Sequence, residues 1–132
     1  MRRKCILIVD DEPPILKALS RRFRFARADW EVVCASGGRA ALELLESRSF
    51  DAVMTDMRMP GMQGEALLEQ VQALRPKALR IVLSGQLDDA NTAAGVGAAH
   101  HYLSKPCDFG VILDLIDKWR SGSNAPSQGP VK

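Results

Sequence analysis

Acidic side chains follow or end two apolar runs of this sequence, and a lysine follows a third. Asp10 and Asp11 directly follow the first run, Asp56 ends the second, and Lys105 follows the third. If these runs are parallel strands, their carboxyl ends meet at one edge of a sheet, where open α/β folds bind ligands. Three carboxylates at one place repel one another and favour a bound cation. All-oxygen ligation suits Mg²⁺, with Mn²⁺ as a substitute. The residues therefore predict a site for a divalent cation and a phosphoryl group, whose charge Lys105 would meet.

A Ser-Gly pair at the end of a further apolar run fits the same chemistry. The hydroxyl of Ser84 can donate to a phosphoryl oxygen, and the N–H of Gly85 is open to approach because glycine has no side chain. Such a pair marks many ordinary turns. Any one of the acids is better explained as a helix cap, and Lys105 alone as a salt-bridge partner of Asp56. The functional interpretation depends on the whole set.

Five apolar runs alternate with helix-periodic stretches, which predicts a doubly wound parallel α/β sheet with right-handed crossovers. Continuous apolar runs in the middle strands are typical of strands covered on both faces. Five helices are expected. The fourth, over residues 88–96, contains Asn91, Thr92 and Gly95, which are poor helix formers, so we expect it to be loosely packed. The predicted strands are Lys4–Asp10, Trp30–Ser36, Ala52–Asp56, Leu79–Ser84 and His101–Ser104.

The composition fits one globular domain. The chain has 132 residues, of which 46% are hydrophobic, and a net charge of only +2, which gives no reason to expect a nucleic-acid or membrane partner. No apolar run approaches the roughly 20 residues of a membrane span, and no secretory signal is recognisable, so a cytoplasmic location is expected. We assign residues 1–120 to the domain and residues 121–132, rich in Ser, Gly and Pro, to a flexible linker or tail, with a further domain beyond it as one expectation.

Three local features have plain structural explanations. The basic cluster of residues 21–27 is better explained as a solvated helix face than as a docking patch. Three cysteines without metal-ligand spacing, Cys5, Cys34 and Cys107, are expected to be buried and reduced. His100 and His101 are adjacent on a predicted strand and point to opposite faces, so they are expected to be surface residues that do not share a metal ion.

Four segments in order resemble the receiver domain of two-component response regulators (the CheY-like family). They are Val9–Pro13, Thr55–Gly64, Leu83–Gly85 and Tyr102–Pro106, within about residues 4 to 120. The resemblance implies a flavodoxin-like fold with five helices and strand order 2-1-3-4-5. It also implies a role in phosphorelay signalling and not a turnover enzyme.

The resemblance assigns roles to individual residues. It implies that Asp56 accepts a phosphoryl group from a histidine kinase, a phosphotransfer protein or a small donor. Asp11, Asp56 and the backbone carbonyl of Arg58 would ligate Mg²⁺, and Asp10 would act through a metal-bound water. The phosphoryl oxygens would be held by Lys105, Ser84, Gly85 and the amide of Met57 or Arg58.

The resemblance also implies a switch. Ser84 would move toward the phosphoryl group and Tyr102 would turn into the vacated space, changing the face made by the fourth helix, the last strand and the last helix. Arg58 and Gln86 occupy positions that tune the lifetime of the phosphorylated form. The implied partners are a sensor kinase and an output domain or downstream protein, without direct binding of nucleic acid by this domain. The segments around Met59 and Lys105 are similar to receivers joined to HD-type signalling domains, and a phosphorylation-dependent dimer is a further expectation.

Three other interpretations remain. An aspartyl-phosphate hydrolase would place a second acid two residues after the nucleophile, where this chain has Arg58. A dinucleotide-binding domain needs a glycine-rich turn after the first strand, where this chain has Asp-Asp-Glu-Pro-Pro. The third is a receiver that binds partners without being phosphorylated, against which the complete set of site residues argues.

Overall fold

The computed structural model describes residues 3–85, 98–105 and 107–119 of the chain. Five parallel strands form one sheet in the order β2-β1-β3-β4-β5, as predicted. Strand β1 lies between β2 and β3, so the ends of β1 and β3 are neighbours. The strands are β1 (Cys5–Val9), β2 (Glu31–Ala35), β3 (Ala52–Asp56), β4 (Leu79–Ser84) and β5 (His101–Ser104).

Four helices lie within the described residues and alternate with the strands. They are α1 (Pro13–Ala26), α2 (Gly38–Ser47), α3 (Gly64–Leu74) and α4 (Phe109–Lys118). Helix α1 begins with two prolines, which lack the N–H groups that a first turn leaves unpaired. Helix α4 is capped by Asp108, whose side chain accepts a hydrogen bond of 2.9 Å from the N–H of Gly110.

The sheet is covered on both faces, which explains why its strands are continuously apolar. Every residue of β1 and β4 is buried. One apolar cluster contains Leu7, Val53 and Val82, and the other contains Ile6, Ile8 and Ile81. Because successive strand residues point to opposite faces, each strand supplies both clusters. The carboxyl ends of β1, β3 and β4 are thereby fixed side by side.

The predicted elements agree with the structure where it describes the chain. Strands β3, β4 and β5 have the predicted bounds, and β1 and β2 are each one residue shorter at both ends. The fourth predicted helix, Gln86 and the predicted linker lie outside the described residues. The cysteines are unpaired, as expected, but the prediction that all are buried was wrong: Cys34 is exposed because β2 is an edge strand, and Cys107 is half-buried. In the described part of the chain, no helix combines the length and the apolar character of a membrane span.

A set of hydrogen bonds ties the amino-end edge of the sheet together. The ammonium group of Lys4 donates to the carbonyl oxygens of Ile116 and Trp119, each at 2.9 Å. The indole N–H of Trp119 donates to the carbonyl of Lys77 at 3.0 Å. These bonds fix the end of α4 against the start of β1 and the segment before β4.

Candidate phosphoryl and cation site

The turn after β1 brings two consecutive aspartates to one place. The N–H of Glu12 donates to Oδ1 of Asp10 at 2.9 Å, which closes a local Asx turn and starts the chain into α1. Asp10 is buried and Asp11 half-buried. Burial raises the pKa of the Asp10 carboxyl, and the Glu12 N–H opposes that rise. The turn explains how neighbouring residues, which would diverge on a regular strand, can serve the same site.

Asp56 completes an acidic cluster at the carboxyl end of β3. Carboxylate oxygens of Asp10, Asp11 and Asp56 all lie within 4.8 Å of one another. The ammonium of Lys105 donates to Oδ1 of Asp56 at 2.7 Å, and its side chain keeps 34% of its surface exposed. When the acids are ionised, one ammonium leaves two negative charges unbalanced within the cluster. This arrangement favours a divalent cation bound by oxygen ligands.

The loop between β3 and α3 fits closely against Asp56. The hydroxyl of Thr55 donates to the Asp56 carbonyl oxygen at 3.0 Å, and the N–H of Gly64 donates to the Met57 carbonyl at 2.7 Å. A Cβ atom on Gly64 would overlap with the Asp56 carbonyl oxygen. Gly61 has φ of 83°, in the left-handed region that favours glycine. Both glycines therefore shape the backbone that carries the acid.

The residues predicted to hold phosphoryl oxygens differ in their burial and in their hydrogen bonds. Ser84 ends β4 and is fully buried, and its carbonyl accepts the N–H of Lys105 at 2.7 Å. Gly85 is exposed, with open space where a Cβ would lie. The N–H of Met57 donates to the Leu83 carbonyl at 2.9 Å as part of the sheet, and a role for the Met57 or Arg58 amide in holding the phosphoryl group stays a prediction.

Tyr102 lies on β5, paired with Val82 on β4, and reaches an acid on α3. Its ring is half-buried against the cluster that contains Val82, and its hydroxyl donates to Oε2 of Glu65 at 3.3 Å. Burial and the nearby Glu65 carboxylate raise the pKa of Tyr102 to about 12. The hydroxyl is therefore a protonated donor at neutral pH. This contact links the strand that precedes Lys105 with the helix that follows Asp56.

Sequence reasoning missed three contributors to this region. Thr55 and Gly64 support the Asp56 backbone, and Glu65 accepts from Tyr102. The place of Gly64 at the end of the segment Thr55–Gly64, which resembles the receiver family, was the one available signal. The histidines do not join the site. His100 is exposed in part and stacks on Trp119 with ring centroids 4.7 Å apart, whereas His101 is half-buried.

The described residues thus define a doubly wound α/β domain with an acidic pocket and one paired lysine at the carboxyl edge of its sheet. Residues 6–117 match the family model for the response regulator receiver domain. The chain belongs to this family, whose members are signalling domains of two-component systems, and the resemblance seen in its motifs is confirmed.

Individual relatives agree with this assignment. The hydrogenase transcriptional regulatory protein HoxA of Bradyrhizobium diazoefficiens is 36% identical over 113 residues, which make up 84% of this chain and 23% of that protein. The chain therefore spans about a quarter of such curated relatives. The receiver domain of an HD domain-containing protein from Pseudomonas fluorescens Pf-5 has a TM-score of 0.77 at 32% identity, covering 89% of this chain and 94% of that one. The response regulator TrrA of Thermotoga maritima, in complex with Mg²⁺-BeF, has a TM-score of 0.77 at 27% identity, covering 89% and 99%.

Proposed function

We propose that this domain is a phospho-accepting receiver in which Asp56 takes a phosphoryl group from a histidine kinase or phosphotransfer protein. The observation that carries the proposal is the acidic cluster with Lys105 Nζ 2.7 Å from the Asp56 carboxylate. A carboxylate oxygen of Asp56 attacks phosphorus, the bond from phosphorus to the donor histidine nitrogen breaks, and the released imidazole regains a proton from solvent. A carboxylate nucleophile carries no proton that must be removed, so the attack needs no general base.

The fit of the acidic cluster to Mg²⁺ supports this function. The three carboxylates supply oxygen ligands and an unbalanced negative charge, which is the donor set that Mg²⁺ prefers. Asp11, Asp56 and the Arg58 carbonyl would hold the ion, and Asp10 would act through a bound water. When bound, the ion neutralises charge on the transferring group. A solved relative that holds Mg²⁺ and a beryllofluoride group is consistent with this assignment.

Lys105 has a different role from the cation. In the structure its ammonium is paired with Asp56, which keeps a positive charge beside the nucleophile before a donor arrives. During transfer we propose that it moves to a phosphoryl oxygen, together with the Ser84 hydroxyl and the N–H groups of Gly85 and Arg58. In-line transfer depends mainly on such positioning and charge stabilisation.

The proposed output is a change on the side of the sheet that carries β5. Movement of Ser84 toward the phosphoryl group would let the Tyr102 ring turn inward and lose its hydrogen bond to Glu65. The Tyr102 ring is half-buried and its hydrogen bond to Glu65 is 3.3 Å long, so a change of local charge can break this contact. Arg58 and Gln86 would tune the lifetime of the phosphorylated state. An output domain or a downstream protein would respond to this change. In one version of the proposal the output domain is of HD type. A phosphorylation-dependent dimer is a further consequence.

The first test is phosphorylation of the purified chain by acetyl phosphate in Mg²⁺, followed by intact-mass measurement. The wild type should gain one phosphoryl group, and EDTA or Asp56→Asn should abolish the gain. Asp29→Asn, which changes an exposed aspartate outside the cluster, is the matched control and should behave as the wild type. If neither acetyl phosphate nor any cognate kinase modifies the wild type, the phosphorylation-independent binding module replaces this proposal.

The second test addresses the switch. Hydrogen exchange should change mainly in peptides covering residues 84 to 105 when beryllofluoride and Mg²⁺ are added. Tyr102→Phe removes the bond to Glu65 and should reduce the difference between the two states while leaving Asp56 phosphorylation intact. Exchange changes confined to α1 would refute the switch without affecting the phosphoacceptor assignment.

A further inference from the structure

A second region of the chain, outside the acidic cluster, carries several positive charges around a groove. A groove of about 570 Å³ lies between α1 and the edge strand β2. Its volume is within the range of small-molecule sites. We call it the α1–β2 groove, and the residues that matter here are Leu16, Lys17, Ser20, Arg21, Arg24 and Cys34.

The three cations of the groove share one face of α1. Lys17, Arg21 and Arg24 are spaced at i, i+4 and i+7, so their side chains are neighbours on the helix surface. Within the described part of the chain none of them forms an ion pair, although Arg27 and Arg48 are paired with Asp117 and Glu31. Three neighbouring cations without a carboxylate repel one another, and a bound anion would relieve this repulsion.

A buried hydroxyl provides the second observation. Ser20 lines the groove and is only 6% exposed, and its hydroxyl makes no hydrogen bond to any described residue. A buried hydroxyl without a partner lowers stability, and native proteins seldom keep one without a reason. Ser20 lies between Lys17 and Arg21 along the helix. A ligand oxygen held by those two cations would also satisfy the hydroxyl.

We propose that the α1–β2 groove binds a small ligand with at least two phosphate charges, of pyrophosphate or nucleotide polyphosphate chemistry. Arg21 and Lys17 contact its oxygens and Ser20 donates to one of them. Arg24 is positioned beside them by a hydrogen bond of 3.3 Å to the Val32 carbonyl. Leu16 and the side chain of Cys34 form the less polar part of the wall. Several separate cations and a hydroxyl donor match the many oxygens of a polyphosphate better than they match a ligand with a single carboxylate.

Pyrophosphate is the probe for the main test, because it carries the required charges. Titration of the ¹⁵N-labelled 132-residue chain in Mg²⁺-free buffer should shift amide signals of α1 and β2 saturably. Citrate at the same ionic strength distinguishes phosphate recognition from simple attraction of polyanions. Equal affinity for citrate and pyrophosphate, or no saturable binding, would overturn the proposal.

Variants locate the binding in the groove. Arg21→Gln should weaken pyrophosphate binding about tenfold. Arg22→Gln, with the same charge change on an adjacent exposed residue outside the groove, should have little effect. Asp56→Asn should also bind normally, so that failure here is separate from failure of the proposed phosphotransfer. Equal weakening by Arg21→Gln and Arg22→Gln would show a diffuse charge effect and reject the site.

Ser20 and Cys34 allow two measurements whose results would not change through an effect of charge alone. Ser20→Ala should raise the melting temperature, because it removes an unpaired buried hydroxyl, while it weakens pyrophosphate binding about tenfold. Bound pyrophosphate should slow alkylation of exposed Cys34 by the neutral reagent iodoacetamide, with half-buried Cys107 as the internal reference. Unchanged affinity in Ser20→Ala together with unprotected Cys34 would place the anion outside the groove.

Discussion

The two edges of the sheet hold buried charge in opposite ways. At the carboxyl edge, three carboxylates share one lysine and retain excess negative charge. At the amino edge, Arg80 is 5% exposed, and its guanidinium donates to the backbone carbonyls of Ala98, Pro76 and Ala78 at 2.6, 3.1 and 3.2 Å. Neutral carbonyls hold the Arg80 guanidinium without cancelling its charge, whereas the acidic cluster gathers several like charges at one place. The clustering of like charges, more than burial, therefore distinguishes the acidic edge from the edge that carries Arg80.

The surroundings of Arg80 suit this structural role. Its backbone N–H donates to Nδ1 of His100 at 3.0 Å, and the His100 ring stacks on Trp119. Burial lowers the pKa of Arg80, and burial together with the Arg80 charge lowers the pKa of His100 to about 4. The histidine is therefore neutral at physiological pH.

The largest expected effect comes from breaking the amino edge. Arg80→Met keeps an extended side chain but leaves three carbonyls without their donors, so the free energy of unfolding should fall by about 3 kcal/mol. Urea unfolding measures the loss. Arg39→Met, at an exposed position on α2, is the control and should change stability by less than about 0.5 kcal/mol. The folded fraction of Arg80→Met should still accept phosphate, and a neutral effect on stability would contradict the structural role.

A smaller effect is expected from Gly64→Ala at the carboxyl edge. The added methyl group overlaps with the Asp56 carbonyl oxygen, so the loop must shift, at a cost of about 2 kcal/mol. The rate of phosphorylation by acetyl phosphate should fall as well, since the shifted backbone carries the nucleophile. Gly37→Ala is the matched control, because a Cβ there meets no atom within 4 Å. Normal phosphorylation in a destabilised Gly64→Ala would show that the backbone position is not critical.

The smallest effect should have the opposite sign. Asp10→Asn removes a carboxylate whose pKa burial raises, so without metal the variant should be more stable at pH 7 by about 1 kcal/mol. A raised folded pKa means that the native state binds protons more tightly than the unfolded chain. The wild type therefore loses stability as pH rises from the unfolded value of about 3.9 through the folded value.

Thermal melts across pH measure this difference. The difference in stability between Asp10→Asn and the wild type should disappear below about pH 3.9, where the carboxyl is protonated in both states. Added Mg²⁺ should reduce this difference at neutral pH, because it stabilises the wild type more. A variant that is less stable than the wild type in EDTA at pH 7 would mean that Asp10 is stabilised by its hydrogen bond more than it is penalised by burial. The two edges would then differ less than we infer.

The acidic cluster could be predicted from the sequence because it depends on a simple rule of topology. Apolar runs that alternate with helices give one parallel sheet, and acids at the ends of β1 and β3 then meet. The occupied amide of Met57 could not be predicted, because it depends on the β3–β4 register. Arg80 gave no signal beyond one cation in an apolar run, and its carbonyl partners are arranged by turns on two different segments. The strand order implied by the resemblance already makes β2 an edge strand, but the expectation that Cys34 is buried did not take this into account.

The hydrogen bonds from Lys4 to the carbonyls of Ile116 and Trp119 hold both ends of the described domain at one place. A short peptide linking residue 119 to residue 4 would therefore cross little distance, and new termini opened at an exposed loop would leave the sheet unchanged. The domain is thus suited to circular permutation and to insertion as a unit into another protein. The acidic cluster, at the opposite end of the strands, would face away from the junction.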